Sequence, residues 1–454
     1  MSVISFLISG LLLFASIYKR DKKVINPITV FYALWTFILF LSMLNLYDIV
    51  KPSDEAYLLI VLMLVFFALG NYSGMIIGKI KNKFNIETKN NEQKNSKENN
   101  NEIKPLMVII YILCIITIIL NIVDCIIVIK SAVSGTPMWQ IRNWSLEPVG
   151  SDNPLLSRRT FLEETFRTII SSPLMLIIYS LAAYNLFNSN NKKQKYITLG
   201  LSVLLLITNS IAGAGGRLGF ICYCGAFLLQ FYISWKNGRI PKDKIKKYKK
   251  LIVVLLIAGV VAMVAYTILR AGTGKVFKQI YTYFALPPTL LSLWLPELKA
   301  AEHTFGLLTT FGIHSYFFRG LGYIGLNSIV PSLYQTSYQH ILNAEVFRNV
   351  GYGVGNAFVT PIYYFFLDGG YPFVCIASCI FGVLVSKKYR KIENNMNEKT
   401  FVNYYLIMYG IFISFMRIQT AIPSYAMAFI LVAILFRKQK VNIIKDGEEH
   451  NEEK

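Results

Sequence analysis

Long apolar runs, separated by shorter polar segments, recur along the whole chain. Runs of about 17 to 25 residues have the length of α-helix that crosses roughly 30 Å of hydrocarbon. The pattern predicts an all-α, polytopic integral membrane protein whose membrane domain covers residues 1–436. The eleven predicted transmembrane helices lie near 2–18, 28–47, 56–78, 106–129, 166–187, 196–212, 218–235, 251–268, 371–386, 401–416 and 421–436.

The composition agrees with this reading and excludes most soluble classes. Of 454 residues, 54% are hydrophobic and 16% are charged, with a mean hydropathy of +0.47, which a water-soluble core rarely shows. All six cysteines lie in apolar spans, so the sequence indicates neither a disulfide framework nor a zinc site. Segment 2–18 has no basic residue before it and no small-residue cleavage site, which favours a retained span over a removed signal.

The positions of the basic residues decide how the net charge of +21 is interpreted. The basic residues lie between the spans, which is typical of a topology signal, and no nucleic-acid partner is expected. Loops on alternating sides carry 32 and 14 Lys plus Arg. The positive-inside rule makes the richer set cytoplasmic, with an external N-terminus and a cytoplasmic C-terminus. That set comprises 19–27, 79–105, 188–195, 236–250, 387–400 and 437–454.

Loop composition separates linkers from candidate functional regions. Segment 82–104, rich in Asn, Lys and Glu, predicts a solvated cytoplasmic linker without a fold, and 437–454 a cytoplasmic tail. The external loops 130–165 and 269–370 are large, and a loop of about a hundred residues is too long for a connector. Within the longer loop, the apolar segments 284–296 and 359–367 predict short helices on, or dipping into, the outer membrane surface. The alternative is that one of them is a full span, which would change the predicted topology.

Arginine is concentrated on the external side. Four of the 32 cytoplasmic basic residues are Arg, against nine of the 14 external ones. Because a guanidinium offers two parallel hydrogen bonds to phosphate or carboxylate oxygens, we expect an anionic external ligand. The alternative is that individual arginines anchor helix ends or pair with loop carboxylates. The candidate ligands are Arg142, Arg158, Arg159, Arg217 (in the Gly-rich turn 213–217), Arg270, Arg319, Arg348 and Arg417.

Three external residues are candidate general bases: His303, Glu345 and Asp368. His303 is preferred because the adjacent Glu302 could hold the ring and raise its basicity. The alternatives are a surface histidine without a role and, for Asp368, a helix cap or turn former. No metal-binding motif is present, so metal-independent chemistry without a cofactor is expected.

Three segments carry a resemblance to a known family: the turn GAGGRLGF, the segment EHTFGLLTTFGI and the stretch GYGVGNAFVTPIYYFFLDGGYPF. With the layout of about eleven spans and one dominant late external loop, the chain resembles the Wzy-type O-antigen polymerases, also called oligosaccharide repeat-unit polymerases. That family often has Asp-Phe-Gly where this chain has Asp368-Gly369-Gly370.

The resemblance implies a glycosyltransferase of the bacterial plasma membrane. Such an enzyme moves a growing O-antigen or capsule glycan from undecaprenyl diphosphate onto the next lipid-linked repeat unit, on the outer face of the bilayer. A chain-length regulator and a flippase are the partners it implies. Two alternatives stay open: an O-antigen ligase, which uses the same donor, and a flippase or exporter of lipid-linked oligosaccharide. A flippase is expected to carry charges inside its spans, where this chain has Asp124 alone, near the outer end of one span.

Overall fold

The structure, a computed structural model, describes residues 1–18, 24–92, 101–144, 147, 152–214, 218–271, 276–355 and 358–440. This part is mainly helical. In chain order the helices are α1 (Ser2–Tyr18), α2 (Pro27–Leu44), α3 (Asp54–Glu92), α4 (Met107–Val133), α5 (Met138–Trp144), α6 (Phe161–Phe166), α7 (Ser172–Asn188), α8 (Lys192–Ala212), α9 (Leu218–Lys236), α10 (Lys242–Ala271), α11 (Val276–Ala300), α12 (Phe311–Tyr323), α13 (Ser332–Asn343), α14 (Thr360–Asn394), α15 (Glu398–Phe412) and α16 (Pro423–Leu435). Two short antiparallel pairs join β1 (Asn101–Pro105) to β4 (Phe436–Lys440) and β2 (Arg348–Asn349) to β3 (Val354–Gly355).

The helices coincide with the predicted spans. Within the described ranges, eight helices are long and apolar enough to cross a membrane: α2, α3, α4, α6 continuing into α7, α8, α9, α10 and α14. Two further apolar helices, α1 and α16, are shorter, and α15, with 15 residues, covers the remaining predicted span. The all-α membrane class is therefore confirmed, while the number eleven stays a prediction.

Local sequence explains where several helices begin and end. At the start of α2, the Asn26 side chain accepts a hydrogen bond from the backbone N–H of Ile28, and Pro27 occupies the first helical position. Both features are favoured at helix N-termini, where Pro loses no hydrogen bond. The helix ends at Asn45, whose φ of 47° lies in the left-handed region. A left-handed Asn at this position is a common helix stop.

Loops of the set predicted to be external gather at one end of the bundle. Loop 45–53 meets the β2–β3 hairpin through the hydrogen bond from Val50 N to Val350 O, at 2.9 Å. Helix α12 reaches the start of α7, because the Tyr316 hydroxyl donates to Thr168 O at 3.3 Å. The Thr420 hydroxyl, between α15 and α16, donates to Thr309 O at 2.6 Å. Hydrogen bonds thus join these loops to one another.

Segment 82–104, which was predicted to be a linker without a fold, is partly folded in the structure. Helix α3 continues to Glu92, and residues 101–105 form β1, so segment 82–104 has secondary structure in its described part. The beginning of the tail pairs with it as β4, and residues 93–100 and 441–454 lie outside the described residues. The composition of 82–104 did not reveal this pairing, because the partner strand is over 300 residues away.

The two apolar segments of the long loop were predicted to be surface helices, and this prediction is wrong. Segment 284–296 lies inside α11, which packs against α2, α3 and α14 and in which every residue from Ala285 to Leu291 is buried. Segment 359–367 forms the first part of α14, in which every residue from Thr360 to Asp368 is buried. The helix breaks at Gly369 and Gly370, where Gly370 has a φ of 65°. Their apolar side chains fill the protein core instead of facing lipid.

Small residues let α3 and α14 pack closely. Gly70 lies against the backbone carbonyl of Cys379, and Gly382 lies against the backbone of Phe67 and Asn71. A Cβ at Gly74 would come within 3.0 Å of Ser386. Because lipid chains are as apolar as the helices, close backbone approach is a main source of helix association in membranes.

Candidate functional site

Asp124 is the centre of an arginine cluster near the end of α4. Its carboxylate is fully buried, which a charge tolerates when it is paired and hydrogen-bonded. Arg159 Nη2 and Arg167 Nη2 each lie 2.9 Å from Asp124 Oδ2, and Arg158 donates to Oδ1. Three guanidinium groups therefore share one buried acceptor.

Helix α6 supplies two more carboxylates to the cluster. Arg167 Nη2 lies 2.8 Å from Glu163 Oε1, one helical turn earlier, and Arg159 Nη1 lies 3.1 Å from Glu164 Oε2. Thr160 caps α6, because its hydroxyl accepts a hydrogen bond from Glu163 N. The three arginines and the three carboxylates fix each other's positions.

A polar cavity of about 250 Å³, named here the arginine cavity, lies beside this cluster. Arg142 on α5 adds a fourth cation to its wall and donates to Gly213 O at 2.8 Å. A π-helical turn at Arg167–Ser171 continues α6 into α7 and brings polar side chains to the cavity; such turns are frequent at functional sites. The lining residues are Thr117, Asn121, Asp124, Arg142, Arg159, Glu164, Arg167, Thr168, Ser171, Ser172, Met175, Asn209, Ala212 and Gly213.

The cavity has an excess of positive charge. Arg142, Arg159 and Arg167 face it, against Asp124 and Glu164. The buried Nε of Arg159 has no hydrogen-bond acceptor among the described residues. Since a buried N–H without a partner is costly, the wall is suited to a ligand that brings anionic oxygens.

The structure brings together part of the predicted arginine set. Arg142, Arg158 and Arg159 belong to the cluster and cavity wall. Arg348 pairs with Glu297 at 2.6 Å and stacks on Trp294, and Arg417 pairs with the candidate base Glu345 at 2.6 Å. The alternative of pairing with a loop carboxylate is confirmed for these two, and also for Arg158 and Arg159, which pair with Glu163 and Glu164.

The remaining predicted arginines do not add to the described cavity wall. Arg319 is exposed on α12, 5.5 Å from the ring of Tyr338. Arg270 belongs to the last turn of α10, and the structure does not describe its side chain. Arg217 lies outside the described residues, as do Gly215 and Gly216 of the predicted turn.

Asp368 is a structural anchor. Its buried carboxylate accepts hydrogen bonds from the Thr304 hydroxyl at 2.5 Å, from Leu308 N at 3.0 Å and from Thr309 N at 2.8 Å. These three bonds hold the turn at 304–309 against the break in α14. A carboxylate engaged in this way serves the fold, as the turn-forming alternative predicted.

His303 directly precedes the turn at 304–309. It is exposed, and its Nδ1 lies 3.3 Å from Leu367 O. Because a carbonyl oxygen can accept but not donate, this contact assigns the proton to Nδ1 and leaves Nε2 as an acceptor. The ring is therefore oriented by a backbone carbonyl, not by Glu302. The described hydrogen bonds of His303 and Asp368 do not reach the arginine cavity.

An apolar groove of about 300 Å³ lies between α9, α10 and α15. Its wall includes Phe220 and Ile221 at the start of α9, and Tyr409 and Phe412 at the end of α15. A Cβ at Gly219, next to Phe220, would lie 3.9 Å from Nδ2 of Asn209, which lines the arginine cavity. One end of the groove therefore lies near the cavity.

The sequence missed Arg167, Asp124 and Glu164 as parts of the site. A signal was present, because a carboxylate inside an apolar span needs a cation, and Arg167 follows Glu163 at the i+4 spacing of helical ion pairs. What the sequence does not show is that the start of α7 lies beside α4.

In comparisons with known proteins, no family model, no curated protein and no solved structure matches this chain.

Proposed function

We propose that the protein polymerises undecaprenyl-diphosphate-linked oligosaccharide repeat units on the outer face of the bacterial plasma membrane, and that the arginine cavity binds the diphosphate. The observation that carries the proposal is the convergence of Arg142, Arg159 and Arg167 on one polar cavity within an apolar helical bundle. The likeness to Wzy-type polymerases in the turn and late-loop segments supports the same reaction.

The proposed reaction transfers the glycan and releases the carrier. The accepting sugar hydroxyl attacks the anomeric carbon of the donor, the bond from that carbon to the diphosphate oxygen breaks, and the hydroxyl proton passes to a base. Negative charge grows on the leaving diphosphate. Guanidinium groups already held in place by Asp124 can stabilise that charge without reorganising.

The apolar groove supports a carrier with a long hydrocarbon chain. Aromatic and aliphatic side chains from α9, α10 and α15 line it, and it begins near the turn that contributes Gly213 to the cavity. A lipid diphosphate has a charged head next to an apolar tail. The neighbouring cavity and groove offer matching environments for both.

The test is polymerisation by purified protein supplied with a lipid-linked repeat unit. Arg142 is the most informative residue, because it lines the cavity and is held there by its hydrogen bond to Gly213 O. We expect Arg142→Ala to reduce the rate of ladder formation by about 10²–10³-fold, the usual cost of one electrostatic donor. Arg142→Lys should restore activity poorly, because Lys lacks the two-pronged geometry.

The matched control is Arg437→Ala, which removes an exposed arginine at the β1–β4 end. It should form the same ladder as the wild type. A full ladder from both Arg142→Ala and Arg159→Ala would refute the proposed cavity. A single transfer to an acceptor without a lipid carrier would favour the ligase alternative, and movement of the lipid-linked unit without a new glycosidic bond would favour the flippase.

His303 is the proposed proton acceptor for the reaction, because it is exposed and its Nδ1 faces a backbone carbonyl, an arrangement in which Nε2 would take the proton. We expect His303→Gln to slow ladder formation by about 10²–10⁴-fold, the usual contribution of a general base, with unchanged thermal stability. Glu302→Gln is the neighbouring control and should leave the rate near that of the wild type, since the ring is held by Leu367 O. Equal rates for His303→Gln and the wild type would exclude His303 as the base.

A further inference from the structure

A dense lysine surface lies where α8 begins, α9 ends and α10 begins. Segments 188–195 and 236–250 contain eleven basic residues and one acidic residue, Asp243. Their ten lysines, named here the basic surface, are Lys192, Lys193, Lys195, Lys236, Lys242, Lys244, Lys246, Lys247, Lys249 and Lys250. All of them are exposed except Lys195, which is half-buried.

The fold fixes this surface. Ile240 and Ile252 are buried, and the ring of Tyr248 packs on Phe187 of α7 with centroids 5.2 Å apart. The inward positions of the α10 start are thus occupied by apolar side chains. The lysines between them are left on the outer face of the helix.

The basic surface carries a large excess of positive charge, because Asp243 is the one acidic residue within its two segments. In the ranges that the structure describes, no ion pair within 4 Å includes any of the ten lysines. Lys195 and Lys244, on two different helices, are close enough for their like charges to interact. The proximity of these two lysines, near the starts of α8 and α10, therefore concentrates repulsion that an external anion would relieve.

We propose that the basic surface binds the headgroups of anionic phospholipids. The surface lies at the ends of three helices that are apolar enough to span a membrane, so lipid headgroups are its nearest neighbours. Trp235 is 44% exposed and lies under the Lys236 ammonium, 4.8 Å from the ring centroid, an arrangement suited to the headgroup region. Clustered lysines beside a span attract anionic lipid through their summed charge.

The proposal is independent of the arginine cavity. If the lysines served only to set the orientation of the chain in the membrane, an excess of basic residues on one side would be enough. That explanation predicts no local enrichment of one lipid class around the basic surface. Lipid binding predicts that phosphatidylglycerol accumulates around Trp235 in preference to phosphatidylcholine. The two explanations therefore differ in a measurable quantity.

The experiment uses the full chain in phosphatidylcholine vesicles that contain brominated phosphatidylglycerol or brominated phosphatidylcholine. Bromine quenches nearby tryptophan, and the Trp235 signal is the difference between the wild type and Trp235→Phe. We expect half-maximal quenching by brominated phosphatidylglycerol at a mole fraction roughly tenfold lower than by brominated phosphatidylcholine. In 0.5 M NaCl this preference should shrink to less than about threefold, because salt screens exposed charges.

The variant that tests the surface carries Lys244→Gln, Lys246→Gln, Lys247→Gln and Lys249→Gln, and should lose most of the preference. Its control carries Lys387→Gln, Lys388→Gln, Lys391→Gln and Lys399→Gln, which removes equal charge elsewhere among the loops of the richer set and should keep the preference. Equal quenching by both lipids in the wild type, or an unchanged preference in the first variant, would overturn the proposal. Full competition by 10 mM inorganic phosphate would overturn the assignment to lipid.

Discussion

Asp124→Ala is expected to destabilise the protein more than any other single substitution in the arginine cluster. It removes the buried acceptor shared by Arg158, Arg159 and Arg167. Breaking a buried ion pair by removing one partner costs about 3–5 kcal/mol. We therefore expect a large drop in the thermal unfolding midpoint of the detergent-solubilised protein, together with loss of polymerisation.

Two further variants show whether charge or packing causes this effect. Asp124→Asn keeps the size and one oxygen acceptor while losing the charge, so its unfolding midpoint should lie between those of Asp124→Ala and the wild type. Asp152→Ala removes an exposed carboxylate from the loop that carries Arg158 and Arg159 and should unfold like the wild type. A wild-type midpoint for Asp124→Ala would show that the cluster does not stabilise the fold.

Gly382→Ala should have the second large effect, on the α3–α14 interface. The added Cβ would meet the backbone oxygen of Phe67, and the Asn71 nitrogen at 2.8 Å. Backbone atoms cannot move aside as the end of a flexible side chain can, so the two helices must separate. We expect the free energy of unfolding to fall by more than about 3 kcal/mol, which is at the upper end for overpacking. In size-exclusion chromatography the variant should elute as aggregated protein.

The matched control is Gly200→Ala on α8, where an added Cβ has nothing within 4 Å. The same substitution there should be neutral or slightly stabilising, because Ala favours helix over Gly by about 1 kcal/mol. A monodisperse Gly382→Ala protein with wild-type stability would mean that α3 and α14 pack less closely than described.

The sequence predicted the helices well because one local property sets them. A segment that must bury its backbone in hydrocarbon has to be apolar over the length of a span, and that length is readable without tertiary information. Segment 359–367 was misread for the same reason. It is too short to span and contains Pro361, so its composition fits a surface helix equally well, and its burial depends on partners far away in the chain.

The sequence predicted that arginines would form the candidate site, but not which arginines. The excess of arginine in the external loops pointed to an anion, and Arg142, Arg158 and Arg159 do meet. Arg348 and Arg417 also lie in loops predicted to be external, yet they pair with Glu297 and Glu345 and do not line the described cavity. Which arginines line the cavity depends on helix packing, which no local pattern records.

The contact between Gly70 and the α14 backbone also has a consequence for biogenesis. The two packing glycines, Gly70 and Gly382, are 312 residues apart in the chain. At about 5–20 residues per second, a ribosome needs roughly 15–60 s to make the segment between them. During that interval the glycine face of α3 lacks its final neighbour, so the insertion machinery must shield it until the late helix arrives.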